Sequence, residues 1–402
     1  MKIAAVVAEF NPLHKGHVLP LQKAREVVGE DGAVVCIMSG NVVQRGDFAI
    51  FPKEIRTQAA LIKGADLVIE LPCVYALSSA EYFAEGALAL LHAMGIKDSH
   101  LVFGSESGDI ASLIQAAGQL DSEDTQGAIR SYLKEGYSYG AACQAALSKV
   151  SEVGEVLEHP NNLLGISYLR AIQKLGAKHI RAHAIKRRGV AHDANCPSEN
   201  FASATYLRTG LLEDSPQWQY MPKEVGDLFK QAMQEGLRPV SLLQIELVVL
   251  ALLRAQSGQE YVFLDDSEGL GAKIVQSAIL AGSLEELVQM VKSKRYHYSR
   301  IRRMILGMCL GFTVGDRPKC PPYIRILGAK EKGQEVLAHM KESATLPIVS
   351  RPGQIKKLGK KAQRMFALEQ KVTDLYHLCA RDSAARRGGT EWQGKPIFIK
   401  GK

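Results

Sequence analysis

Two histidines mark the segment of this chain with the most chemistry. His14-Lys15-Gly16-His17 follows the short apolar run Lys2–Ala8 and the loop Glu9-Phe10-Asn11-Pro12-Leu13, and it opens a helical pattern from about Gly16 to Val28. Imidazoles three residues apart at a helix start share one face. The first helical turn offers unpaired N–H groups and partial positive charge to an anion. Gly16 removes a side chain where phosphate oxygens must come close. Imidazole N–H donors aimed at a phosphorus passing through five-coordination stabilise the negative charge that grows there. The pattern therefore points to displacement at phosphate. A zinc site would need more ligands than two histidines, and no Cys, Asp or third His stands at ligand spacing.

Other segments carry groups suited to a charged ligand. Ser39-Gly40-Asn41, after the apolar run Ala33–Met38, offers backbone N–H groups and an amide, and fits an ordinary turn equally well. Gln44 and Arg45 lie in the long loop Ser39–Pro52, read here as a lid because such loops are usually functional or mobile. Gly104-Ser105-Glu106 follows a fourth apolar run. Glu9 and Glu70 stand at strand ends, and spacing assigns neither as a metal ligand. Ser78-Ser79 with Glu81 reads as a helix cap.

A second constellation is basic. Lys292–Arg303 (KSKRYHYSRIRR) holds Lys292, Lys294, Arg295, Arg300, Arg302 and Arg303, no acid, and Tyr296-His297-Tyr298 at its centre. If helical, it places Lys292, Arg295 and Arg303 on roughly one side. Arginine forks pair with phosphate and aromatics stack on splayed bases, so this run is a candidate tRNA surface. Lys178–Arg188 and Arg351–Arg364 are likewise free of acids. Any one such run is most often a solvated face; three together favour an RNA surface.

The elements that position these groups follow from hydrophobic pattern. Lys2–Ala8, Ala33–Met38, Asp66–Leu71 and His100–Phe103 are strand-length apolar runs, separated by helical patterns at 16–28, 53–63 and 79–94. Alternation of this kind predicts an α/β fold: a Rossmann-like core with a parallel sheet covered on both faces. Ligands then bind beyond the carboxyl ends of the strands, where Glu9–His17, Ser39–Arg45 and Gly104–Glu106 fall. Residues 109–150 and 163–175 read as helical, Ala182–Lys186 as a strand. Beyond about 199 the pattern is almost all helical, for example Ser241–Ala255 and Ala272–Met290, with Tyr323–Leu327 and Pro396–Lys400 extended. The turn-rich Ala194–Ser198 suggests a boundary, giving a nucleotide-binding domain at 1–195 and a helix-rich, basic domain at 196–402.

The whole chain has 402 residues, a formal net charge of +8 and ordinary globular composition, enough for two or three domains at roughly 100–200 residues each. No apolar run approaches the ~20 residues of a membrane helix. Seven scattered cysteines with no CxxC pair fit a reducing cytoplasm rather than a disulfide framework. Nothing in the sequence indicates a membrane or a protein partner.

H-x-G-H between a first strand and a first helix is the signature of nucleotidyltransferases that cut a nucleoside triphosphate between its α- and β-phosphates. Together with VVAEFNPLHKGH, MSGNVVQRGDFAI, GADLVIELP, LSSAEYFAEGA, LVFGSE, PNNLLGISYLRAI, KRYHYSRIRRMIL and PPYIRILG, in that order, it makes the chain resemble the bacterial tRNA(Met) cytidine acetate ligase family over nearly its full length. The resemblance implies a ligase that uses ATP to form acetyl-adenylate. The acetyl group then passes to N4 of the wobble cytidine of elongator tRNA(Met). It implies ATP contacts along Val7, Ala8, Glu9, Phe10, Asn11, Pro12, Leu13, His14, Lys15, Gly16, His17, Val18, Leu19 and Pro20, with His14 and His17 catalytic, and further contacts at Gly104, Asn162 and Arg187. Asn161 and Arg188 leave a one-residue ambiguity at the last two. The residues themselves allow Asn161 or Asn162 as a helix cap and Arg187 or Arg188 as a phosphate clamp or a solvated basic turn. The family's acid after Q-R-G is Asp47 here. Mg²⁺ bridging the phosphates is expected, its ligands unassigned. Ser39, Gly40, Asn41, Gln44 and Arg45 form a possible substrate loop. A small-metabolite nucleotidyltransferase and a non-catalytic, nucleotide-gated RNA-binding protein are the alternative readings.

Overall fold

The computed structural model describes residues 1–149, 157, 159–187, 201–257, 263–266 and 269–400. The expected boundary at Ala194–Ser198 and the alternative clamp Arg188 lie outside the described residues. The strands in chain order are β1 (Lys2–Ala8), β2 (Ala33–Ser39), β3 (Val42–Val43), β4 (Asp47–Phe48), β5 (Leu67–Leu71), β6 (Asp98–Ser105), β7 (Ile180–Lys186), β8 (Ile324–Ala329), β9 (Ile348–Val349) and β10 (Ile397–Phe398). The helices of the first half are α1 (Lys15–Val28), α2 (Lys53–Ile62), α3 (Cys73–Ala76), α4 (Ala80–Ala93), α5 (Ile110–Leu120), α6 (Glu123–Lys134), α7 (Tyr139–Ser148) and α8 (Pro160–Lys174). Those of the second half are α9 (Ala204–Leu212), α10 (Lys223–Gln234), α11 (Glu246–Arg254), α12 (Leu270–Leu280), α13 (Leu284–Val291), α14 (Tyr298–Leu310), α15 (Glu331–Ser343) and α16 (Lys360–His377).

The main sheet has the order β10-β8-β5-β2-β1-β6-β7, with β9 beside β8. Its four central strands β5, β2, β1 and β6 run parallel, as the continuous apolar runs require. Alternate residues feed two cores: Ile3, Ala5, Val35 and Ile37 face one, Ala4, Val6, Val34 and Cys36 the other. Helices cover both. Polar caps start many of them: Asp109 accepts from Ala111 N, and Ser122, Ser138, Ser203 and Ser283 cap α6, α7, α9 and α13. Ser79 occupies the N-cap position of α4 without a side-chain cap bond.

In the C-terminal half the two segments expected to be extended, Tyr323–Leu327 and Pro396–Lys400, hold strands β8 and β10, and what the sequence did not show is where they pair. β8 returns to the sheet and pairs antiparallel with β5, so the sheet is mixed, and β10 extends its edge. The sheet thus draws strands from both sides of residue 195. The long patterns also break: Ser241 caps a 3-10 turn before α11, and Ala281-Gly282-Ser283 separates α12 from α13.

Buried charge ties the returning chain to the core. Lys53 Nζ binds Glu70 Oε1 at 2.7 Å and Glu391 Oε1 at 2.6 Å, and Arg325 pairs with both carboxylates. Thr373 Oγ1 donates to Glu391 at 2.5 Å, and Glu369 accepts from Cys73 N at 2.6 Å. Burial alone would raise the Glu391 carboxyl, but Lys53 and Arg325 hold it below its usual range. Glu369 goes the other way: burial and then the Glu70 charge push it well above, and the Lys53 charge offsets them only in part.

Glu391→Ala leaves two buried cations short of an acceptor and should cost about 3–5 kcal/mol of unfolding free energy in urea titrations at pH 7. Glu369 is the opposite case. Its folded-state value is raised, so its contribution declines as pH climbs above the ordinary 4.5. Glu369→Gln copies the protonated form, and the same titrations at pH 8 should show it as stable as the parent or more so.

Candidate active site

The carboxyl ends of the central strands line up. Ala8 is level with Met38 on β2, and continuing the β1–β6 register puts Gly104 level with Ala8. Glu9, Ser39 and Ser105 therefore lead off one edge, and the three expected segments converge there.

After β1 the chain reverses at Phe10, whose φ of 47° is left-handed and whose ring is fully buried. His14 follows as the N-cap of α1. Its Nδ1 accepts from Gly16 N at 3.0 Å, while His17 Nδ1 accepts from His14 N at 3.3 Å. This is a capping box built from imidazoles. The rings lie 3.9 Å apart, and Phe10 meets His17 edge-on at 5.4 Å. With both Nδ1 atoms accepting, each ring when neutral carries its proton on Nε2. Gly16 has a further reason to lack a side chain: a Cβ there would sit 2.8 Å from His14 Cε1, displacing the ring that caps the helix. Pro20 lies inside α1 rather than in its first turn. Leu13 is buried beneath the turn, whereas Lys15, Val18 and Leu19 line a neighbouring recess with Lys63, Phe201 and Pro222.

The turn is held by groups that sequence reading did not single out. Arg56 is fully buried and donates to Phe51 O at 2.9 Å, Glu9 O at 2.7 Å, Ser39 O at 3.0 Å and Gly40 O. Arg208 Nη1 donates to Asn11 O at 2.9 Å. Both arginines sit in amphipathic helices, where an isolated basic residue reads as solvated. Burial raises the Glu9 carboxyl, and the charges of Arg208, Arg56 and Arg45 partly offset it.

The 39–52 loop is a small β3–β4 hairpin clamped to this turn. Gln44 N donates to Glu9 Oε1 at 2.7 Å and Ile50 N to Asn11 Oδ1 at 2.7 Å. Asn41 points inward, accepting from Lys53 N at 2.9 Å and donating to Thr373 at 3.3 Å. Gly40 is required by packing, since a Cβ would lie 2.6 Å from Glu70 Oε1. Ser39 Oγ and Gln44 Nε2 are buried donors without a protein acceptor, and Arg45 is exposed. Of the substrate-loop residues, Gly40 and Asn41 thus have structural duties, and Ser39 and Gln44 keep donors that no protein acceptor takes.

On the other flank Asn162 is buried and its Oδ1 accepts from Glu106 N at 2.9 Å and Ser107 N at 3.3 Å. Glu106 answers by accepting from Asn162 N at 2.9 Å and from Asn161 Nδ2 at 2.5 Å. Arg187 Nη1 donates to Asn161 Oδ1 at 3.0 Å, and its chain crosses Gly104, where a Cβ would approach Arg187 Cγ to 3.2 Å. Gly104, Asn162 and Arg187, far apart in sequence, form one cluster beside the end of β1. Among the described residues, no three His, Cys, Asp or Glu side chains converge as a metal site.

The basic run Lys292–Arg303 divides in two. Helix starts only at Tyr298, so Lys292, Arg295 and Arg303 share no helix face. Lys292, Lys294 and His297 are exposed. Tyr296 is buried with Arg300 over its ring at 5.1 Å, and Tyr298 donates to Glu285 at 2.7 Å, so the tyrosines are engaged within the protein. Arg302 and Arg303 turn toward the hairpin of the site.

Comparison with known proteins agrees with this geometry. Residues 1–391 match the family described as HIGH Nucleotidyl Transferase. A tRNA(Met) cytidine acetate ligase of Thermoanaerobacter sp. (strain X514) is 38% identical over 394 residues, 96% of this chain and 97% of that one. Another, of Acetivibrio thermocellus, is 36% identical over 420 residues, 99% and 100% of the two chains. The crystal structure of Thermotoga maritima TmcAL without ligand superposes with a TM-score of 0.92 at 33% identity, covering both chains fully. The same protein bound with alpha-thio ATP gives 0.90.

Gly16→Ala separates fold from site. Alanine is favoured over glycine inside a helix by about 1 kcal/mol, so thermal stability should hold. The displaced His14 ring should weaken ATP binding roughly tenfold, which titration calorimetry would read.

Proposed function

The chain belongs to the tRNA(Met) cytidine acetate ligases of the HIGH Nucleotidyl Transferase family, and we infer that it is an ATP-dependent ligase that activates acetate as acetyl-adenylate and transfers the acetyl group to N4 of the wobble cytidine of elongator tRNA(Met). The observation that carries this reading is the imidazole capping box at the carboxyl edge of the parallel strands, with both Nδ1 atoms committed to backbone N–H groups.

In the first step an acetate oxygen attacks the α-phosphorus of ATP. The O–P bond forms as the bond to the β-phosphate oxygen breaks and pyrophosphate leaves. The enzyme positions the reactants and answers growing charge, without a covalent enzyme intermediate. His14 and His17 supply Nε2–H donors to the phosphate oxygens, and the start of α1 adds its partial positive charge. Gly104, Asn162 and Arg187 form the nucleoside side of the site. Ser39 Oγ, Gln44 Nε2 and Arg45 are the donors offered to acetate. A Mg²⁺ ion, which keeps several water ligands, needs few from protein and would accompany the triphosphate, where it neutralises phosphate charge.

In the second step the cytidine N4 attacks the acetyl carbonyl, the C–N bond forms and AMP leaves. N4 is a weak nucleophile because its lone pair is delocalised into the ring, so a mixed anhydride is needed where free acetate would not react. The N4 proton can pass to the released AMP phosphate. An anticodon loop presents an unstacked base at low cost. Lys292, Lys294, Arg295 and Arg300 are proposed as tRNA-facing cations, in a helix-rich basic part beyond about 196. Substrates of this kind place the reaction in the cytoplasm.

Incubation of elongator tRNA(Met) with the protein, ATP and acetate, followed by mass spectrometry of the nucleosides, should reveal N4-acetylcytidine; its absence would refute the reading. His14→Ala and His17→Ala should each lower acetate-dependent AMP formation by roughly two orders of magnitude. Charge reversal at Lys292 and Lys294 should weaken tRNA binding and flatten its salt dependence by about two ions' worth.

A further inference from the structure

The Arg302 and Arg303 side chains come from the run that sequence alone assigns to RNA, yet they face the hairpin of the active site. Arg302 Nε donates to Gly46 O at 3.1 Å and its Nη2 binds Asp47 Oδ2 at 2.7 Å. Asp47 Oδ1 in turn accepts from Leu242 N at 2.7 Å, so the carboxylate is held from two directions. Arg303 Nη1 donates to Gln44 O at 3.1 Å. Gly46 has a φ of 78°, and a Cβ there would overlap the Arg303 backbone nitrogen, so the hairpin tip lies directly on the first turns of α14. Gly46 N closes the tip on Val43 O at 3.0 Å. The far side of the same hairpin reaches the catalytic turn through Gln44 N to Glu9 and Ile50 N to Asn11.

We propose that Arg302 is a positioning residue for acetate activation: it fixes the Gln44–Asp47 turn on α14, and that turn fixes Glu9 and, five residues on, His14. The proposal rests on the reaction given above. Arg302 is nearly buried, its Nε and Nη2 are spent on the hairpin and its Nη1 donates to Tyr298 Oη at 3.4 Å, which leaves it little to offer a phosphate. Arg303 assists through a backbone carbonyl, and burial disfavours its charge. The run therefore divides: Lys292 and Lys294 are exposed, and eight to eleven residues later Arg302 and Arg303 hold the hairpin.

The test pairs Arg302→Lys, which keeps charge but loses the fork, with Asp47→Asn, which breaks the same ion pair from the hairpin side. Amide hydrogen exchange should accelerate at 44–48 in both. Without tRNA, kcat for acetate-dependent pyrophosphate release should fall roughly ten- to hundredfold, the loss typical of a misplaced site. The Kd for tRNA and its salt slope should stay within twofold of the parent. Unchanged exchange at 44–48 with unchanged kcat overturns the proposal. So does intact kcat with a tRNA salt slope reduced by about one, which would return Arg302 to the RNA surface. If the parent protein itself releases no pyrophosphate with acetate, the reaction proposed above fails, and the exchange measurement still decides whether Arg302 holds the turn.

Discussion

One buried guanidinium sets the geometry on which the site depends. Arg56 spends its donors on the carbonyls of Glu9, Ser39, Gly40 and Phe51, where two parallel strands end and their loops diverge. Strand ends leave carbonyls that the sheet no longer pairs, and each one buried without a donor costs free energy. A single planar fork satisfies several of them and fixes their spacing at once. The group enters without a carboxylate directly against it, and burial lowers its affinity for a proton. The convergent carbonyl dipoles and the Glu9 charge are what make that placement tolerable.

The turn at His14 shows how one set of atoms can serve the fold and be suited to chemistry. The first N–H groups of a helix need acceptors. Here two histidines provide them through Nδ1, which for a neutral ring fixes the proton on Nε2. An Asp cap would satisfy the backbone equally well but, ionised, offers no donor. Glycine at position 16 serves both demands, admitting the His14 ring over its α-carbon and leaving the approach to the helix end open.

The C-terminal half is part of the site's support. Arg325, Thr373 and Glu391 close a buried ionic cluster around Lys53 and Glu70, directly behind Gly40 and Asn41. Arg208 holds Asn11 from α9, and α14 holds the hairpin. Loops that bind ligands are usually the least stable parts of a fold. This one is braced from three later segments of the chain, a reason for the length of a protein whose smaller substrate is acetate.

The sequence by itself determined what is local. Strand, turn and helix from Lys2 to Val28, the helix caps and the paired imidazoles are all set by residues within a few positions of one another, where period and propensity act. Gly104 and Asn162 were visible as chemistry but not as partners. Their neighbourhood, with Glu106 and Arg187, depends on β6, β7 and α8 meeting. Only the tertiary structure decided the rest. A basic residue on an amphipathic helix looks solvated until the fold places carbonyls or a carboxylate against it, and Arg302 lies 255 positions from its Asp47 partner. The antiparallel return of β8 was hidden for the same reason, since an apolar strand carries its pattern but not its direction. Contacts that close over such separations are selected by the packing of the whole molecule, and no window of sequence contains them.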